Sequence, residues 1–165
     1  MITTIGIFSN QTDAESSLRE LCAFGIPVED ISYVYLSHSG LVSKKEIKKV
    51  KQSIKVCDAV VVGSKFGFVV ASGVLPDIGS FLVAGPLKAA FGISTTAAVG
   101  GTVSGVVAGG FVGALMSFGI SDGDSKRFQD YIKSGDILVV VRLKSSEIKN
   151  ILMHTHAREV QEYAH

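Results

Sequence analysis

Histidines, cysteines and a lysine run are the side chains whose chemistry could define a site in this 165-residue chain. His154 and His156 are the one pair close enough to suggest a metal. On a helix, residues i and i+2 point about 200° apart, so these two cannot share an ion there. His38 follows a β-rich run with no acid or nucleophile beside it. Cys22 and Cys57 stand far apart with no C-x-x-C partner, and they read as reduced, buried thiols. No Walker A sequence, no G-x-G-x-x-G after a strand, no H-E-x-x-H and no G-x-S-x-G occurs. The expectation is a chain with no catalytic residue, no metal and no cofactor, and therefore not an enzyme.

The basic chemistry is concentrated in KKEIKKVKQSIK, residues 44–55, which holds six lysines and one glutamate. Ser43 and Glu46 form a capping box. Ile47, Val50 and Ile54 then share one face, with Lys44, Lys45, Lys48, Lys49, Lys51 and Lys55 around the rest. Two readings follow. One is a solvated amphipathic helix lying on a sheet. The other is an interfacial helix that meets anionic lipid headgroups. Nucleic acid is not expected as a partner, because the patch lacks arginine and interleaved aromatics and the net charge is only +1.

The stronger signal is a spacing. Ala97, Gly101, Gly105, Gly109, Gly113 and Ser117 recur every fourth residue. On a helix this makes a ridge of small residues that another backbone can approach closely. Gly63, Gly67 and Ala71 repeat the spacing earlier. Each glycine inside a helix costs about 1 kcal/mol relative to alanine, so close packing or a membrane must compensate. The 63 residues from Ala59 to Ser121 carry only three charges, Lys65, Asp77 and Lys88, yet hold 13 of the 18 glycines. Residues 58–120 are therefore expected to form an apolar, glycine-rich helical hairpin, with turns at Pro76-Asp77 and Gly85-Pro86. Its helix-packing or oligomer interface would use the nine small residues just named. A buried hairpin inside an ordinary fold is the other reading.

The flanks must position this insert. Ile2 to Phe8 is a β-rich run, followed by a capping box at Thr12 and Glu15 and by Ala14, Leu18, Leu21 and Cys22 at helical spacing. Gly25 stops that helix, and Ile31 to Leu36 is a second strand. Beyond the insert, Ser121 or Asp122 caps a helix with Phe128, Tyr131 and Ile132, ended by Gly135. Ile137 to Leu143 is a near-continuous apolar run, the pattern of a strand covered on both faces. Ser145 or Ser146 caps another helix, and Glu159 to Tyr163 is a short last strand. The expected fold is α+β. A small ferredoxin-like α/β sandwich of three or four strands, built from 1–42 and 121–165, is split by a basic helix at 43–57 and the hairpin at 58–120. The opening segment, MITTIGIFSN, has no basic residues and is not read as an export signal. The expected location is cytoplasmic, with peripheral or integral contact at the inner membrane.

LPDIGSFLVAGPLKAAFG, the glycine run after it and GALMSFGISDGDSKRFQDYIKSGDILVVV together resemble the bacterial general stress (heat-induced stress) protein family. Ala84-Gly85-Pro86-Leu87 and Phe118-Gly119-Ile120 carry most of the likeness, which extends to Gly6-Ile7-Phe8 and the Ala14 helix. Asp77 and Ser80 depart from the family's usual Pro-Gly-Ile-Gly-Pro. The resemblance implies a stress-linked role and supplies no reaction. The function expected is self-assembly of the chain with itself, association with membrane lipid, or both. The alternative is a soluble ligand-binding regulatory domain with the hairpin packed as core.

Overall fold

β-branched runs and capped amphipathic segments build six strands and five helices in the computed structural model, which describes residues 1–36, 70–75, 79–90 and 110–164, the side chains of 70–75, 79, 80 and 88 aside. Strand β1 (Ile2–Phe8) leads through α1 (Gln11–Ala23) and a 3-10 turn at Val28–Asp30 to β2 (Ile31–Leu36). A hairpin of β3 (Val70–Leu75) and β4 (Gly79–Ala84) follows. Next come α2 (Leu87–Ala90), α3 (Gly110–Met116) and α4 (Asp122–Lys133), then β5 (Ile137–Val141), α5 (Ser146–His154) and β6 (Glu159–Ala164).

The helix ends follow from their caps. Asn10 Oδ1 accepts from the Asp13 amide at 2.8 Å, and Asn10 Nδ2 donates to Asp13 Oδ2 at 2.7 Å. This cap replaces the one expected at Thr12, because asparagine ranks above threonine as an acceptor for the first-turn amides. Ser121 caps α4 and Ser145 caps α5. Gly25 and Gly135 follow α1 and α4 with φ of 96° and 97°, left-handed values that stop a right-handed helix.

The sheet has the order β3-β4-β2-β5-β1-β6, and every neighbouring pair is antiparallel. The fold is therefore α+β. β5 sits between β1 and β2, with Val139 opposite Gly6 on one side and Tyr33 on the other. All five of its residues are buried, as the unbroken apolar run requires. Alternation along the strands splits the core in two. Ile5, Ile7, Val34, Phe81, Val83, Leu138 and Val140 face α2, α3 and α4. Phe8, Ile31, Tyr33, Leu82, Val139 and Val141 face α1 and α5.

Four expectations are corrected. The glycine-rich insert is not helical throughout, since 70–75 and 79–84 are strands. Phe81 to Ala84 is buried at every position and serves both cores alternately. A short run that is apolar on both faces does not distinguish strand from helix by periodicity, and here β-branched and aromatic residues favour the strand. The sheet consequently has six strands rather than three or four, because the insert extends it. The helical hairpin expected to reach residue 120 ends earlier, with α3 stopping at Met116 before Gly119 at φ 80°. Finally, Cys22 is not a free thiol but disulfide-bonded. Cys57 lies outside the described residues.

Contacts at two places fix the insert to the framework. Gly85, at φ 85°, passes so close to β2 that a Cβ would collide with the Ile31 carbonyl. The Ser32 hydroxyl there accepts from the Leu87 amide at 3.0 Å, satisfying the start of α2. At the other end, Thr3 Oγ1 donates to the Phe118 carbonyl at 3.1 Å, and the Arg142 guanidinium lies 4.5 Å from the Phe118 ring centre.

Candidate interaction surfaces

Of the small residues expected to form one ridge, Gly113 is half-buried on α3, which packs against α4. Ser117 lies just beyond the end of α3, is exposed, and donates its hydroxyl to the Ala114 carbonyl at 2.6 Å. Ala71 is on β3, opposite Val83 of β4, and so belongs to the sheet and not to a helix face. Gly63, Gly67, Ala97, Gly101, Gly105 and Gly109 lie outside the described residues, as do Lys44, Lys45, Lys48, Lys49, Lys51, Lys55 and His38. The structure thus puts Gly113 and Ser117 near each other, and Ala71 on the terminal strand of the sheet.

Charged chemistry gathers at the opposite end, where β6 meets α4. The Arg127 guanidinium reaches Asp124 Oδ1 and Glu159 Oε1, both at 2.9 Å. Tyr131 donates its hydroxyl to Glu159 Oε2 at 2.8 Å. That hydrogen bond is the main cause that raises the Tyr131 pKa, with Arg158 and Arg127 opposing it. Arg158 lies over the Tyr131 ring at 5.2 Å and pairs with the buried Asp136 at 3.0 Å. Tyr163, edge-on to Phe128, is held neutral above the ordinary tyrosine range, first by burial and then by Asp124. Sequence reading did not find this network. Apart from the local Arg127–Asp124 pair, its partners are 22 to 39 residues apart, and tertiary packing brings them together.

The two histidines engage separate carboxylates, His154 Nδ1 at 3.3 Å from Glu20 Oε2 and His156 Nδ1 at 3.8 Å from Asp13 Oδ1. These are contacts between α1 and the end of α5 and do not converge on one point. Among the described residues, no three His, Cys, Asp or Glu side chains are grouped to hold a metal ion. None of the described helices is long and apolar enough to cross a membrane. Comparison with known family models, curated proteins and solved structures finds no match.

The remaining polar groups lie inside the core. The Tyr33 hydroxyl, Thr4 Oγ1 and Ser125 Oγ are buried without a hydrogen-bond partner. Burial pushes the Tyr33 pKa up, and Glu15 adds to the effect. A hydroxyl kept neutral in an apolar layer can neither take nor give a proton at neutral pH, so these groups offer no acid–base pair. Among the described residues, the two terminal strands of the sheet differ in charge: β6 carries Glu159 and Glu162, and β3, whose sequence is VASGVL, carries none.

Proposed function

We propose that this chain is a non-enzymatic, stress-related protein whose glycine-rich, low-charge segment mediates self-association, membrane association or both. The observation that carries the reading is the charge distribution: 63 consecutive residues hold three charges, and the described part of that stretch ends the sheet in an uncharged strand. A surface that lacks charge and carries unpaired backbone groups tends to be covered by another surface. The framework reads as a ferredoxin-like unit. Support comes from the strand order β6-β1-β5-β2 and from crossover helices α1 and α5 sharing one face. The stress-linked role rests on the family resemblance of Ala84 to Leu87 and Phe118 to Ile120. Contact with anionic lipid would fall to the lysines of 44–55.

The second reading, a soluble ligand-binding regulatory domain with the insert packed as core, is favoured by a specific observation. Phe81, Val83, Leu87, Phe111 and Leu115 are buried against Ile5, Val34 and Leu138 of the framework. Sedimentation equilibrium with and without detergent, alongside flotation with anionic phospholipid vesicles, separates the two. Assembly at micromolar concentration, or flotation abolished by high salt, supports the first reading. A protein that is monomeric in both conditions and does not float puts the regulatory reading first.

A further inference from the structure

We infer that the β3 edge of the sheet is the self-association surface, pairing antiparallel with the β3 edge of a second copy across a two-fold axis. The inference rests on the self-association reading above and names the surface that carries it. Among the described residues β3 pairs with β4 alone, so in an antiparallel ladder every second residue turns its N–H and C=O outward. Sheets usually protect such a row with charge, proline or a bulge. Val70–Leu75 contains no charged residue and no proline. The other end of the same sheet is protected. Arg158 precedes β6, Glu159 and Glu162 lie within it, and these engage Asp136, Arg127 and Lys149 in ion pairs.

This asymmetry selects the occupant. Docking β3 onto the β6 edge of another copy would set Arg158, Glu159 and Glu162 against an uncharged strand and strip water from them without new partners. Such a head-to-tail contact would also propagate, into a ring or an open filament. Pairing β3 with itself places no charge opposite another. With the axis through Ser72, Val70 falls opposite Val74 of the second copy and Ala71 opposite its Gly73. The contact is isologous and closes as a dimer, joining two sheets through backbone hydrogen bonds.

Sedimentation equilibrium of the full chain tests this, with Ser72→Lys set against Glu162→Lys. Ser72→Lys should weaken dimerisation at least tenfold with an unchanged circular dichroism spectrum, while Glu162→Lys should leave it within about twofold. If Ser72→Lys does not fold, amide exchange of the wild type decides. Protection of β3 should rise with protein concentration while that of β6 stays constant. An assembly unaffected by Ser72→Lys overturns the β3 inference and leaves self-association standing on another surface. Protection of β3 that is equal at all concentrations also overturns it, because the chain then covers its own edge. A wild type that is monomeric with and without detergent overturns both readings.

Discussion

The two ends of one sheet solve the same problem differently. β6 and β3 each have one strand neighbour among the described residues, yet β6 is fastened by Arg127, Tyr131 and Arg158 and β3 carries no charge at all. The difference follows the composition of the chain. β6 belongs to the charged flank, and β3 enters from the 63-residue stretch with three charges. Edge charge is therefore a property of individual strands, and the uncharged strand is the one to examine for a partner.

The comparison is broken most severely by loosening the hairpin that supplies β3. Phe81 of β4 is 1% exposed and packs in the core with Val34 and Phe111. Phe81→Ala should cost about 3–5 kcal/mol in urea denaturation. A loss under about 1 kcal/mol would mean that the hairpin is attached to the fold without being part of it.

The middle of the sheet gives a smaller effect of opposite sign. Tyr33 buries a hydroxyl with no partner, so Tyr33→Phe should be neutral or stabilising by about 1 kcal/mol. The Tyr33 pKa is raised in the fold. The stability this contributes is present below the ordinary tyrosine value and is lost as pH rises through the raised one. Alkaline unfolding of Tyr33→Phe should accordingly move to higher pH, as followed by circular dichroism. An unchanged midpoint would show that Tyr33 is not what limits alkaline stability.

The smallest effect is at the protected edge. Glu159→Ala removes the acceptor shared by Arg127 and Tyr131, a partly exposed site, and should cost about 0.5–1 kcal/mol. The Tyr131 pKa should fall toward its ordinary value, because its hydrogen bond to Glu159 is the chief cause of the rise. Ultraviolet titration of the tyrosines reads this directly. No movement of the Tyr131 transition would remove Glu159 from the account.

Local signals were legible in the sequence. The stops at Gly25 and Gly135, the caps at Ser121 and Ser145, and the doubly covered β5 are encoded within a turn or a strand of themselves. The β3–β4 hairpin was not legible as strands. Four-residue spacing through Ala71 imitates a helix ridge, and Phe81 to Ala84 is apolar on both faces. The dipeptide Pro76-Asp77 between two apolar runs was the available hint in the sequence. The Arg127–Glu159 pair and the Cys22 disulfide depend on tertiary register, which spacing alone cannot supply. Among the candidate residues, Gly113, Ser117 and Ala71 are placed, and Ala71 has a role that sequence did not give it.

Amide exchange measured residue by residue, with both edges read in the same sample at two protein concentrations, tests the central claim most directly. The account predicts that alternate amides of Val70–Leu75 gain at least tenfold protection between low and high micromolar concentration, while those of Glu159–Ala164 do not change. Equal behaviour of the two edges, or a concentration response at Glu159–Ala164 alone, would contradict it.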